Sequence, residues 1–486
     1  MASTTTLSGD LSPAAQCLVA AGLQERVLLP SGAGYADRVQ SYWCNSAKLH
    51  PACIVQPQST TEVAVAIRAL VAADQVFAVR AGGHMNWAGS NNIDNGVTID
   101  LGLLKDTHYD AETDTARIGP GAKWKDVYAE LEKHGRTVAG GREAEVGVGG
   151  FLLGGGNTFH SLRRGFGCDN VVAYEVVLAD GRIVTADADG EQQDLFRVLK
   201  GGGNNFGIVT AFTMATMPSS PIWGGYAVHT KDVLPAAAKA IASFTANASE
   251  DRDSTLNFTV CYIPRLGGAA VVSICTNVAG VEKPRAFDQV AELPKLMDTL
   301  KTSTLQEVIS HTSLPTDYYN VWFTLSFKND ATIISKAMDL YNELAKQVQE
   351  KVTDGDFAAH ISLQPIPRAY PESSVAAGGN MLGLENYPHD AILIQANISV
   401  RTAELAEWAR PVVREMVQGI RDFAATVTDG ICPFLYLNYA NPEQAVLESY
   451  GKENIEKMRK AAAKYDPNQV FQKLCPGGYK LADVKI

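Results

Sequence analysis

Val146-Gly147-Val148-Gly149-Gly150-Phe151-Leu152-Leu153-Gly154-Gly155-Gly156 is the stretch whose reading decides the fold. Two segments share its character: Arg80-Ala81-Gly82-Gly83-His84 upstream, and Gly201-Gly202-Gly203-Asn204-Asn205-Phe206-Gly207-Ile208-Val209-Thr210 downstream. Glycine carries no Cβ, so its amide can approach an anion closely, and a row of such amides binds phosphate. Any one of these segments could be a plain tight turn. Three loops in one region could wrap an extended dinucleotide. Two known phosphate-binding patterns fail. The fingerprint GxGxxG needs a third glycine where Leu152 follows Gly147 and Gly149, and where Phe206 follows Gly201 and Gly203. The GxxxxGK[ST] loop is absent. A nucleoside-triphosphate enzyme and an ordinary nicotinamide dehydrogenase both lose weight.

Around these loops, strand and helix signals alternate. Ile54-Val55-Gln56-Pro57 reads as a strand ended by proline. Ser59 and Glu62 have capping-box spacing before the helical apolar series Val63, Ile67, Leu70. Val76 to Val79 is a strand running into the first loop, and Val97 to Leu101 is another. Ala122 to His134 is a helix closed by Gly135. Val171 to Leu178 is a β-branched strand, turned by Asp180-Gly181 into Arg182-Ile183-Val184. Asp194 to Leu199 is a short helix before the third loop.

At Met217-Pro218-Ser219-Ser220-Pro221 the character changes. Longer strands follow at Leu256 to Ile263, Ala359 to Pro365 and Ala391 to Val400, with long helices at Ile334 to Lys351 and Thr402 to Ala425. Pro442 to Phe471 is a helix-rich tail. The expected fold is α+β with two lobes, the second built on a large antiparallel sheet covered by helices. Residues 1–217 and 430–486 would form the first lobe and 218–429 the second. A chain of 486 residues is too long for one ordinary core.

The net charge is −11, and no basic cluster tracks phosphates, which argues against nucleic acid. No apolar run is long enough to span a membrane. Met1 to Asp10 has no lysine or arginine and does not resemble a secretory signal, so a cytoplasmic location is expected. The eight cysteines lack CxxC or zinc spacing and read as buried thiols; Cys44 and Cys53 could bridge if the chain were exported. No histidine spacing suggests a metal. Asn-x-Ser/Thr sequons begin at Asn247, Asn257 and Asn397.

The segment Pro51 to Thr213 resembles the FAD-binding domain of the vanillyl-alcohol oxidase / p-cresol methylhydroxylase superfamily, within it the berberine-bridge-enzyme-like group. Tyr436-Leu437-Asn438-Tyr439, Tyr450-Gly451 and Tyr465-Asp466-Pro467-Asn468-Gln469-Val470-Phe471 resemble that group's terminal segment. The resemblance implies an FAD-dependent oxidase that removes a hydride from an alcohol, amine or activated C–H of a small molecule, with O2 regenerating the flavin and giving H2O2. It also implies that His84, in R-x-G-G-H, bonds the flavin's 8α-methyl carbon. Many relatives add a cysteinyl link just before V-G-x-G-G; here Glu143 holds that place, so FAD bound through His84 alone is expected. Cys168 reads as a packed thiol.

Carried over residue by residue, cofactor contacts fall on Arg80, Ala81, Gly82, Gly83, Met85, Val146, Gly147, Gly149, Gly150, Gly154, Gly155, Asn157, Ile208, Val209 and Asn438. The amides near Gly82, Gly83 and Gly149 would meet the pyrophosphate, Ile208 and Val209 the adenine side, and Asn438 the flavin ring. Tyr436 is the first candidate base, on the view that a cationic or flavin environment eases loss of its proton. Tyr439 shares its side of a strand only if the spacing bends, since an offset of three changes face. His360, Ser362 and Gln364 share one strand face, and Gln395, Asn397 and Ser399 another. Either row could bind a polar substrate or simply face water; Gln364 and Gln395 are the leading candidates. Two other readings stay open: a flavoprotein cyclase of specialised metabolism, and a non-catalytic flavin-binding relic.

Overall fold

The computed structural model describes residues 11–264, 267–310 and 315–486. The reading of Met1 to Asp10 lies outside them. Four strands open the chain: β1 (Val27–Leu28), β2 (Cys53–Val55), β3 (Phe77–Arg80) and β4 (Val97–Asp100). They lie in the order β1-β2-β4-β3, with β2 and β3 parallel to β4. A parallel pair needs a crossover, and the helix Thr60–Ala72 supplies it between β2 and β3. Ser59 caps this helix by accepting the Glu62 amide at 3.1 Å. Glu62 does not close the expected box. Its carboxylate accepts from Gln58 N and pairs with Arg26 instead.

The next strands are β5 (Thr107–Asp110), β6 (Thr115–Ile118), β7 (Arg136–Thr137), β8 (Val171–Val177), β9 (Ile183–Asp187), β10 (Ile208–Ala215) and β11 (Met217–Pro218). Five of them form an antiparallel sheet, β5-β6-β10-β8-β9, and β7 pairs with β11. Gly181, at φ +79°, makes the β8–β9 turn. The expected helix Ala122 to His134 forms over Trp124–Glu132.

The third sheet holds β12 (Ile222–His229), β13 (Ser254–Ile263), β14 (Gly268–Asn277), β15 (Met297–Asp298), β16 (Lys301–Ser303), β17 (Tyr319–Lys328), β18 (Phe357–Ile366), β19 (Ala391–Val400) and β20 (Ile431–Cys432). Its nine strands run β15-β12-β14-β13-β18-β19-β17-β20, with β16 also on β12. The helices Leu234–Ala246, Ala331–Lys351 and Ala403–Ala424 pack on one face. Asp330 and Thr402 cap the last two. β20 lies in the terminal segment that the sequence grouped with the first lobe, yet it pairs with β17. Beyond it the chain returns: the helix Lys452–Tyr465 packs on Gln193–Leu199, and Phe471 meets Phe77 edge-on.

All ten residues of β19 are buried. Ile392, Ile394, Ala396, Ile398 and Val400 enter the core under the helices, so by alternation Gln395, Asn397 and Ser399 point the other way. Ser362 lies directly opposite Gln395, and His360 opposite Asn397. The two polar rows therefore share one face of one sheet, under cover rather than in water. All eight cysteines are free. Cys44 donates to the Asn86 carbonyl at 3.2 Å and is not bridged to Cys53, and Cys168 is fully buried. Among the described residues no helix is long and apolar enough to cross a membrane.

Candidate active site

A cavity of about 930 Å³ lies between the glycine-rich segments and the open face of the nine-stranded sheet. Its wall takes in Ala81, Gly82, Gly83, His84 and Met85 from the first segment and Val146, Gly147, Gly149, Gly150, Gly154 and Asn157 from the second. Ile208 and Val209 line it near Gly203 and Gly207. Tyr436, Asn438, Tyr439, Gln364 and Gln395 close the opposite side. Arg80 and Gly155 are not on this wall. Arg80 is buried, with its guanidinium donating to the carbonyls of Arg38 at 2.7 Å and Ser41 at 3.1 Å, and stacked on Tyr42. It supports the loop from behind.

Two glycines join the loops back to back. A Cβ on Gly82 would fall 2.4 Å from Gly147 Cα, and one on Gly147 would fall 2.4 Å from Gly82 Cα. Lys123 fastens the junction, its ammonium donating to the carbonyls of Gly82 at 2.9 Å and Glu145 at 2.6 Å. The second segment is not wholly a loop: Val148–Leu153 is helical, because Val148 and Leu152 bury on one face. This alters one expectation. The Gly149 amide donates to the Pro120 carbonyl at 3.2 Å and is not free for a phosphate, whereas the amides of Gly82 and Gly83 donate to no described residue.

His84 is enclosed and stacks on Trp43, with ring centroids 4.5 Å apart and planes 17° from parallel. Its Nδ1 is buried without a partner among the described residues. Burial, with a smaller contribution from the Lys123 charge, lowers its pKa to about 3. The imidazole is therefore held neutral, with a lone pair available for bonding.

Tyr436-Leu437-Asn438-Tyr439 is not a strand. Leu437–Tyr439 forms a 3-10 turn, in which residues three apart eclipse. Tyr436 and Tyr439 consequently share a face, edge to face at 4.8 Å. The Tyr436 hydroxyl accepts from Asn157 N at 2.8 Å and Asn438 Nδ2 at 3.1 Å. Burial pushes this phenol upward, well above its ordinary range. That opposes the expectation that its surroundings ease proton loss, since desolvation outweighs both hydrogen bonds. The Tyr439 hydroxyl accepts from Arg142 Nη2 at 3.2 Å and Gln364 Nε2 at 3.3 Å. Arg142 also donates to Gln364 Oε1 at 2.5 Å, and Asn157 Nδ2 lies 3.3 Å from the same oxygen. One network thus links both lobes. Gly154 admits Asn438, whose Oδ1 would lie 2.1 Å from an added Cβ.

Residues 51–187 match the FAD-binding domain family. Over 486 residues the chain is 36% identical to the FAD-dependent monooxygenase drtC of Aspergillus calidoustus, covering 98% of this chain and 92% of that one. This chain belongs to the FAD-linked oxidoreductases. The flavoprotein is also 31% identical to the bifunctional solanapyrone synthase of Alternaria solani, covering 96% of this chain and 88% of that one. Its fold matches berberine bridge enzyme from Eschscholzia californica, with TM-score 0.75, 18% identity, and 94% and 97% of the two chains covered.

The cavity's own chemistry fits FAD. His84 Nδ1, Trp87 Nε1, Asn91 Oδ1, Glu143 Oε1, Trp322 Nε1 and Gln395 Nε2 are all on this wall, buried, and without a partner among the described residues. A buried polar atom left unpaired costs roughly 1–3 kcal/mol. Such a concentration along one cavity marks a surface shaped for polar ligands. Sequence reasoning missed two residues of this flavoprotein. Lys123 and Arg142 are isolated basic residues with no local pattern around them, and only tertiary contact shows what they hold. Glu143 was placed near the flavin but given no role. It is half-buried, with Oε2 accepting the Glu145 amide at 2.8 Å, and burial raises its pKa above the usual range.

Proposed function

We propose that this flavoprotein is an oxidase whose small-molecule substrate is itself the electron donor. Bound FAD would accept a hydride from an alcohol, amine or activated C–H carbon and be reoxidised by O2, giving H2O2. The observation that carries the reading is the single cavity joining the His84 loop to the buried Gln364–Tyr439–Arg142 network. A substrate held there lies against residues able to orient it and move its proton. Tyr436, kept protonated by burial, serves to orient. Proton removal falls to Tyr439 or to Glu143, whose raised pKa brings a carboxylate closer to the strength of a working base. Residues 1–217 and 430–486 would hold the cofactor, and 218–429 the substrate.

The covalent anchor is assigned to His84, with no cysteinyl link because Glu143 stands at the second position. A pH dependence follows. An ordinary histidine would be about 3% neutral at pH 5. His84 stays neutral down to about pH 3, so protonation does not silence it. Flavin attachment to apo-protein, followed by in-gel flavin fluorescence, is expected to vary less than about threefold from pH 5 to pH 8. A roughly 30-fold fall toward pH 5 would mean an ordinary imidazole.

The oxidase reading is tested by anaerobic mixing with substrate. The yellow colour should bleach without added nicotinamide, and air should then restore it with one H2O2 per turnover. Bleaching that requires a reduced nicotinamide would favour the monooxygenase name its relative carries. A product isomeric with the substrate, formed without oxygen uptake, would favour the cyclase reading.

A further inference from the structure

The open face of the nine-stranded sheet carries a gradient from apolar to polar side chains. Register places Val228 opposite Val272, Val272 opposite Thr259, Thr259 opposite Ser362, and Ser362 opposite Gln395. This row crosses β12, β14, β13, β18 and β19, four strand spacings or roughly 19 Å. It begins with two valines and ends with a glutamine whose Nε2 is buried and unpaired among the described residues. The neighbouring rows agree: Tyr226 lies opposite Ile274, while Ala270 lies opposite Cys261 and Cys261 opposite His360. The cavity wall includes each of these side chains. The polar end is joined to the Arg142 and Tyr439 network through Gln364. The apolar end runs outward to Met297, which is 50% exposed.

Resting on the oxidase reading for the site, we propose that the substrate is an elongated lipophilic molecule with a single polar head. The head is an oxygen acceptor on Gln395 Nε2, and the tail lies along β14 and β12. His360 Nε2–H donates to Gln395 Oε1 at 3.2 Å, which turns the amide nitrogen toward the ligand. A saccharide fits this wall poorly. Its hydroxyls would lie on Ala270, Val272 and Ile274, whose side chains offer no donor or acceptor; Tyr226, Asn257 and Thr259 beside them are too few to pair them all, and each group left unpaired carries a desolvation penalty.

The test uses the holoenzyme with para-n-alkylbenzamides, from methyl to octyl, as unreactive ligands. Binding is read as a shift of the visible flavin band. Kd is expected to fall about fourfold per added methylene until the groove is filled, corresponding to about 0.8 kcal/mol for each. V272N should raise Kd at least tenfold for the octyl ligand and leave the methyl ligand within about twofold. A270L should shorten the chain length at which Kd stops falling. A Kd independent of chain length, tighter binding of cellobiose than of the octyl ligand, or equal loss of methyl and octyl binding in V272N would each overturn the proposal. The matching para-alkylbenzyl alcohols separate it from the reading on which it rests. If the amides show the chain-length trend and no alcohol bleaches the flavin, the groove stands and the oxidase reading fails.

Discussion

Replacing His84 by Ala should move the flavin from the acid-precipitated pellet into the supernatant. In the unaltered protein the pellet should stay yellow and fluoresce in a denaturing gel. The expectation rests on a neutral imidazole whose Nδ1 has no partner among the described residues, held by stacking on Trp43 at 4.5 Å. The substitution removes the nucleophile and leaves Trp43 and the glycine junction in place. FAD should therefore still bind reversibly, and turnover at saturating FAD should fall by about 10- to 100-fold as the ring loses its fixed position. A pellet that remains yellow would place the anchor on another residue.

Gly82→Ala should be still more damaging, because it acts on backbone rather than on a side chain. The new Cβ would meet Gly147 Cα at 2.4 Å and Gly147 N at 2.8 Å. Neither atom can rotate away, so the two loops must separate, and the Lys123 bond to the Gly82 carbonyl stretches with them. Overpacking of this kind costs about 1–3 kcal/mol or more. Thermal denaturation should show a lower midpoint, and the purified protein should carry little flavin. Gly147→Ala should reproduce both effects, since the clash is mutual. Gly150→Ala is the control for stability, because an added Cβ there meets nothing within 4 Å. Its midpoint should not fall. An unchanged midpoint and full flavin content in Gly82→Ala would show that the loops are not in contact.

Much of this architecture was legible because it depends on local signals. Ser59 and Asp180-Gly181 announce a cap and a turn through chemistry confined to a few residues, and the helix and hairpin fall where they point. The long strands were visible from alternation alone. What stayed hidden depends on which strand lies beside which. The rows of His360 and Gln395 look identical whether they face water or a ligand, until pairing sets Ser362 against Gln395. The Tyr436–Tyr439 offset misled because a strand period was assumed where the chain makes a 3-10 turn. Lys123 and Arg142 act over separations of 41 and 222 residues, beyond the reach of any local pattern.

The returning C-terminal segment sets a timetable for the protein's birth. Tyr436, Asn438 and Tyr439 complete the cavity wall, and 355 residues separate His84 from Tyr439. At about 5–20 residues per second, the ribosome needs roughly 20 to 70 s to deliver the last of them after the histidine emerges. Until then the loops proposed to cradle the dinucleotide stand without their far wall, so capture of the vitamin-derived group is expected at the end of synthesis. A nascent chain stalled before residue 436 should emerge colourless.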